Sequence, residues 1–388
     1  MSNIETNLVH LGRRTARQAM AVNPPLVRAS TTVFANLDEF REAYNGVAFE
    51  TPKYGRTGTG TVFELQSAMA EICNTESCIA TASGLSAIAA TLAAHAKPGA
   101  EILIQADIYG PTRALADKEL NSRNCSIKYF STVEEMCVLV NERTSLVFVE
   151  IPTSLTMKML DVAEICDLAR HKGVPVACDA TWGSPIFFDA HAHGVDISIH
   201  AGTKYINGHS DVMLGLVTGS YKSLAVIRNW CENYGSCAAP DVCWLGLRGL
   251  RTLDVRMERH QKNAMHVANW LQDQPLVKNI RCPAMPSDDG HGLWRKLFTG
   301  GAGPFTIELM ECNETSFKAF INSFELFGLG TSWGGFESLV MPAIPHSLRA
   351  SGTLPDHGRL VRLHVGLENP NDLCRDLQYA FLALVNSE

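Results

Sequence analysis

From about Thr61 onward, short apolar runs alternate with longer stretches of helical spacing. The runs Glu101–Gln105, Ser145–Ile151, Val174–Cys178 and Val195–Ile199 hold few polar positions and predict strands buried on both faces. Between them Phe63–Ile72, Leu85–His95, Val133–Val140 and Ala163–His171 repeat their apolar residues at helical intervals and predict helices. This alternation predicts a largely parallel sheet covered by helices, since parallel neighbours need a long crossover connection. Ligands of such sheets gather beyond the carboxyl ends of the strands.

The flanks have a different texture. Residues 1–57 carry little periodicity but include Pro24, Pro25, Gly46 and Tyr54-Gly55-Arg56, which suits either an arm reaching onto a neighbouring chain or a frayed start. A single long helical pattern covers Asp241–Leu271, with Leu245, Leu250, Leu253 and Met257 as its apolar positions, and leads out of the sheet region. Beyond it, Phe305–Met310 and Leu360–Val365 predict strands and Phe317–Phe324 and Leu373–Val385 predict helices. The chain therefore divides into an arm (1–57), a sheet domain (58–250) and a C-terminal α/β domain (251–388), with no internal repeat.

Composition narrows the function classes. A formal charge of −7 and no basic block exclude an electrostatic nucleic-acid footprint. The polar N-terminus lacks the apolar core of a signal peptide, and no run approaches the ~18 apolar residues of a membrane span. The 12 cysteines are scattered, several of them within apolar segments, as in a reduced cytoplasmic protein. No glycine fingerprint for a dinucleotide and no P-loop lysine is present. His191-Ala-His193 has no third ligand nearby, and Cys231, Cys237 and Cys243 lack the close pairs of a zinc site, so no metal is expected. A small molecule is the expected partner.

Candidate chemistry collects at the strand ends. Lys204 follows the run Val195–Ile199 and the small residues Ala201 and Gly202, which let a bulky group approach. Most lysines are solvated surface residues. One sheltered here has its ammonium destabilised, which frees the amine to attack a carbonyl. Asp179 ends another buried run; it either caps the next turn or meets a cation, such as a pyridinium nitrogen. An aspartate together with a carbonyl-attacking lysine is what pyridoxal 5′-phosphate requires of its protein. Thr81-Ala-Ser-Gly84-Leu85 runs into an alanine-rich helix whose free N–H groups suit a phosphate, and Thr203 can add a hydroxyl. Tyr109, after the strand Glu101–Gln105, can stack on a flat ring or simply pack.

These segments, with Arg56-Thr-Gly-Thr59, Gly208-His-Ser-Asp211, Arg248-Gly-Leu-Arg-Thr-Leu253 and Ser332-Trp-Gly-Gly-Phe-Glu-Ser338, resemble in matching order the Cys/Met-metabolism family of pyridoxal-phosphate enzymes. The resemblance spans roughly Leu8 to Phe381. It implies the aspartate aminotransferase-like fold, fold type I: a large domain on a mainly parallel, seven-stranded sheet and a smaller C-terminal α/β domain. Within the family, Tyr54-Gly-Arg-Thr-Gly-Thr59, Glu150-Ile-Pro-Thr-Ser154 and Ser332-Trp333 are most similar to bacterial members that break the Cβ–sulfur bond of cystathionine.

The resemblance also implies roles. Lys204 holds the cofactor and shuttles protons, Asp179 pairs with its ring nitrogen, and Tyr109 stacks on the ring. Gly84, Leu85, Thr203 and Thr181 complete the binding set, with Tyr54 and Arg56 reaching it from an adjacent subunit, so that at least a dimer, and by resemblance a tetramer of two dimers, is implied. Arg362, in Arg-Leu-His-Val-Gly-Leu-Glu368, clamps the substrate carboxylate, while Ser154, Ser332 and Trp333 line the pocket. Trp244 stands where those bacterial members carry a tyrosine, and is expected beside the substrate as a change of specificity.

Overall fold

A computed structural model describes residues 3–16, 19–343 and 359–387. Seven strands make the larger sheet: β1 (Ser77–Thr81), β2 (Glu101–Gln105), β3 (Ser126–Phe130), β4 (Thr144–Glu150), β5 (Val176–Asp179), β6 (Ile197–Ala201) and β7 (Gly215–Gly219). Their order is β1-β7-β6-β5-β4-β2-β3. All neighbours from β3 to β6 are parallel, and only β7 runs antiparallel to β6 and β1. This is the mainly parallel, seven-stranded sheet of fold type I.

The continuous apolar runs follow from burial on both faces. Along β4, Leu146 and Phe148 join a core with Ala87, Ile88 and Ile227, from the helices Gly84–His95 and Tyr221–Tyr234. Val147 and Val149 point the other way, into a core with Leu65, Ile165 and Leu247, from the helices Gly60–Ile72, Val162–His171 and Pro240–Leu250. Each side chain of this size stabilises the fold by about 1.5–3 kcal/mol when fully buried. Polar residues are therefore pushed to the strand ends, where Glu150 and Asp179 stand side by side in register.

A second sheet orders β10 (Gly328–Leu329), β11 (Leu339–Pro342), β12 (Arg359–His364), β9 (Pro304–Leu309) and β8 (Val277–Arg281). Its core meets Val267, Phe320 and Leu377, from the helices Leu253–Gln272, Glu314–Asn322 and Pro370–Val385. Tyr205, fully buried beside Lys204, joins the two parts: its hydroxyl accepts a 2.7 Å bond from the Gly303 amide, and its ring packs on His260 and Trp333.

The pattern read as one helix over Asp241–Leu271 is two helices, Pro240–Leu250 and Leu253–Gln272. A Cβ on Gly249 would lie 2.3 Å from the Ile206 carbonyl oxygen, so the first helix ends pressed against that backbone. The Arg256 guanidinium then donates to the Gly249 carbonyl at 2.8 Å, beside the Thr252 amide, and to the Tyr205 carbonyl at 2.7 Å. Leu247 and Leu250 of the first helix and Leu253 and Met257 of the second join one core, which makes their apolar positions look continuous. Strands β1, β3 and β7 are absent from the sequence prediction: β3 is a half-exposed edge bearing Lys128 and Tyr129, and β7 is bounded by glycines.

Candidate active site

The carboxyl ends of the parallel strands open into a cavity of about 300 Å³. Strand β4 delivers Glu150 to its wall, β5 delivers Asp179, and the turn after β6 delivers Thr203 and Lys204. The second sheet contributes Arg362 from β12, and the loop after β10 contributes Trp333.

Ser83, Gly84 and Leu85 form the start of the 12-residue helix Gly84–His95 at the same cavity. The Ser83 hydroxyl caps the helix by accepting the Ser86 amide at 3.1 Å. A Cβ on Gly84 would come within 2.8 Å of the Ala201 Cβ, so glycine lets the helix start sit against the end of β6. The free N–H groups of that first turn, at the positive end of the helix dipole, make an anion site beside Lys204. The Thr203 hydroxyl donates to the Leu214 carbonyl at 3.2 Å and accepts the Leu214 amide at 2.9 Å, so it must turn to serve an anion.

The Lys204 Nζ donates to the Ser332 hydroxyl at 2.6 Å and lies 5.3 Å from the Trp333 ring centre. Burial, then the Arg362 charge, pulls its ammonium down to about 8, against the opposing pull of Asp179. Asp179 accepts both the amide and the hydroxyl of Thr181, at 3.1 and 2.5 Å. Thr181 thus orients the carboxylate. Burial raises the Asp179 pKa, opposed by the Thr181 bonds and by Lys204. Arg362 is 7% exposed and spends Nη2 on the Thr331 and Ser332 carbonyls, at 2.7 and 3.1 Å. This ties the arginine to the loop bearing Ser332 and Trp333. Tyr109 is partly open to solvent; burial, Glu150 and Asp179 raise its hydroxyl pKa, so it stays protonated.

The cavity thus brings together Lys204, Asp179, Tyr109, Gly84, Leu85, Thr203, Thr181, Arg362, Trp333 and Ser154 of the expected residues, with Ser332 on Lys204. Tyr54 and Arg56 lie outside it on an exposed stretch, where Arg56 donates to the Glu232 carbonyl at 2.5 Å. Trp244 also lies outside the lining. Its indole N–H donates to the Pro24 carbonyl at 3.1 Å, which sets the N-terminal arm against it. His191 bonds the Val195 carbonyl and the Thr218 hydroxyl, and His193 bonds the Leu297 carbonyl. Glu150 and Met157 line the cavity with no role expected for either. Glu150 carried a usable signal: like Asp179, it is a carboxylate at the end of a buried strand.

An amine of depressed basicity, a carboxylate at a strand end, an aromatic side chain and a helix N-terminus around one cavity are the groups that a pyridoxal-phosphate enzyme of fold type I requires. The sequence model for Cys/Met metabolism PLP-dependent enzymes matches residues 5–382, and the chain belongs to that family. It is 36% identical to a cystathionine beta-lyase of Bordetella avium, covering 97% of both chains. It is 33% identical to an L-alanine/L-glutamate racemase of Wolbachia pipientis, covering 98% of this chain and 97% of that one. A solved cystathionine gamma-lyase from Lactobacillus plantarum, complexed with L-serine, superposes with a TM-score of 0.90 at 27% identity, over 99% of this chain and all of that one.

The cofactor is pyridoxal 5′-phosphate, and the donor set fits it. The first turn of the helix Gly84–His95 suits the phosphate, Asp179 the ring nitrogen and the Lys204 amine the aldehyde carbon. Attack on an aldehyde needs the neutral amine. The rate at which cofactor-free protein takes up pyridoxal phosphate is therefore expected to climb with pH and level off above about 8, where Lys204 loses its proton. Stopped-flow absorbance across the pH range checks this. A rate still climbing through ~10, as for an ordinary lysine, speaks against the assignment.

Proposed function

We propose that the protein is a carbon–sulfur lyase that splits L-cystathionine and water into homocysteine, pyruvate and ammonia by β-elimination. The observation that carries this reading is the convergence of the Lys204 amine, the Arg362 guanidinium and the Ser332-Trp333 loop on one cavity. The 36% identity to a relative named as a cystathionine beta-lyase supports the choice of reaction. Bound pyridoxal phosphate supplies the electron sink that makes the Cα proton acidic.

The remaining work belongs to the side chains. Arg362 binds the α-carboxylate and so fixes which face of Cα meets Lys204. The Lys204 Nζ, neutral once its proton has left, accepts the Cα proton, and Ser332 holds that nitrogen in place. Asp179 keeps its negative charge against the ring nitrogen, oriented by Thr181. Loss of the Cβ–sulfur bond sends the thiolate away with a proton, and hydrolysis of the three-carbon remainder yields pyruvate and ammonia.

A second reading keeps the same residues and changes the product. Removal and return of the Cα proton without bond cleavage is racemisation, the activity named for the Wolbachia relative. The γ-lyase neighbour breaks the bond one carbon further on by its name. Purified protein given cystathionine, cysteine and L-alanine in parallel separates these readings. Pyruvate with homocysteine is the expected outcome. Release of 2-oxobutyrate means γ-elimination, D-alanine alone means a racemase, and hydrogen sulfide from cysteine with cystathionine untouched means a desulfhydrase.

We further read the protein as a cytoplasmic homo-oligomer, a tetramer of two dimers, in which Tyr54 and Arg56 complete the neighbour's cavity. Both are exposed on their own chain, and the arm around them leaves Val22, Leu26, Val27 and Val33 in contact with solvent. No helix among the described residues is long and apolar enough to cross a membrane, and all 12 cysteines are free. Mixing inactive Arg56→Ala with inactive Lys204→Ala subunits is expected to restore activity, because each hybrid dimer contains one intact site. At random exchange of equal amounts, about a quarter of the wild-type activity returns, given additive independent sites. No recovery after demonstrated subunit exchange refutes the shared site.

A further inference from the structure

Glu150 ends β4 in the wall of the cavity, 8% exposed, and its register partner across the sheet is Asp179. Two carboxyl groups on adjacent strand ends repel each other, and burial penalises both ionised forms. Both effects act on Glu150. A residue placed so unfavourably for stability needs compensation, and the structure shows where it lies.

One carboxylate oxygen, Oε2, accepts the Tyr109 amide at 2.6 Å. The other, Oε1, accepts the Ser154 amide at 2.8 Å and also the Ser154 hydroxyl. The Glu150 amide is itself held by the Gln105 side-chain oxygen at 3.0 Å. The three donors come from two separate loops, one after β2 and one after β4. Tyr109 and Ser154 both line the cavity. Arg362 feels the Glu150 charge from the second sheet.

The Ser154 loop has reason to need an anchor. Leu155 and Met157 both adopt positive φ, 65° and 52°, a region that side-chain-bearing residues occupy only at a cost. The turn is pinned from inside by the Thr153 hydroxyl, which bonds the Thr156 hydroxyl at 2.7 Å and the Lys158 amide at 2.9 Å. Glu150 pins it from the sheet side.

From this arrangement we infer that Glu150 is a positioning residue: its carboxylate ties Tyr109 and Ser154 to the end of β4 and so fixes the ring and the hydroxyl that face the reacting groups. The inference rests on the reaction proposed above only for its kinetic readout. A carboxylate is required because every anchored group is a donor. A glutamine has one acceptor oxygen, and its NH₂ would face an N–H, so one of the two loops loses its anchor.

The test compares Glu150→Gln with wild type as cofactor-loaded protein. Hydrogen exchange of the Tyr109 and Ser154 amides, followed by mass spectrometry, reads the anchor without reference to any activity. At least one of the two is expected to exchange about tenfold faster or more, as for a buried donor that has lost its partner. The kcat/KM for cystathionine is expected to fall about 10- to 100-fold, with KM moving less than about threefold. Unchanged exchange at both amides, or kcat/KM within about threefold of wild type, overturns the inference. If wild type itself yields no pyruvate from cystathionine, the proposed reaction fails while the exchange result still judges Glu150.

Should Glu150→Gln not fold, the pair Glu150→Asp and Ser154→Ala gives a cycle that retains the charge. Coupled losses, with the double variant at least about threefold better than the product of the single effects, support the anchor. Multiplying effects overturn it.

Discussion

Replacing Lys204 by alanine is expected to abolish turnover and to leave pyridoxal phosphate bound without a covalent link. The side chain removed is the amine that lies within the cavity, held at 2.6 Å by Ser332, and no other lysine lines the cavity among the described residues: Lys158, on the adjoining turn, spends its Nζ on the Ser131 carbonyl. A positioned acid–base group contributes about 10²- to 10⁴-fold on its own, and loss of the nucleophile adds to that, so a drop of at least ~10³-fold is expected. The cofactor still binds through the helix start at Gly84 and through Asp179, which separates this variant from one that has merely unfolded. Borohydride reduction followed by peptide mapping is the check. Wild type should carry the label on Lys204 and the variant none. Label on another lysine, or turnover within tenfold of wild type, sinks the assignment.

Arg362→Leu is expected to give the second largest effect. The guanidinium is buried and bonded to the Thr331 and Ser332 carbonyls, so its removal deprives the substrate carboxylate of its partner and slackens the loop that holds Ser332 against Lys204. Truncating one partner of a buried charge pair costs about 2–5 kcal/mol, roughly 30- to several thousandfold in kcat/KM. Arg362→Lys keeps the charge but loses the fork, and should fall between wild type and the leucine variant. The cofactor absorbance of both variants should match wild type, since Arg362 is assigned to the substrate. A loss of kcat/KM below about threefold in Arg362→Leu rules out the clamp.

How far these residues could be read from the chain differs from one to the next. Lys204 and Asp179 announce themselves, because a charged residue at the end of an apolar run must be compensated by something, and the run itself is visible. Glu150 obeys the same logic but sits before a proline in a motif, and only the register with Asp179 shows that two carboxyl groups share one cavity wall. Ser332 is legible only through its motif, and its bond to a lysine 128 residues earlier comes from the fold. Trp244 shows the limit of a motif. Its place before the Arg248 motif suggests the pocket, whereas the fold lays Pro24 against its indole.

The strand runs and helical spacings of residues 61–199, and with them the parallel sheet, are determined locally, because burial on two faces demands an unbroken apolar strand and a crossover helix demands amphipathic spacing. The family and its cofactor are likewise carried by short motifs whose order along the chain survives without any knowledge of their contacts. Tertiary structure alone decided that the long pattern after Asp241 breaks at Arg251–Thr252, since the cause is Gly249 pressed on a distant backbone and an arginine from the next helix. It alone brought Arg362 and the Ser332-Trp333 loop from the second sheet to Lys204. The basicity of that lysine also depends on the full fold, because desolvation and the field of Arg362 exist only once both sheets enclose the same cavity.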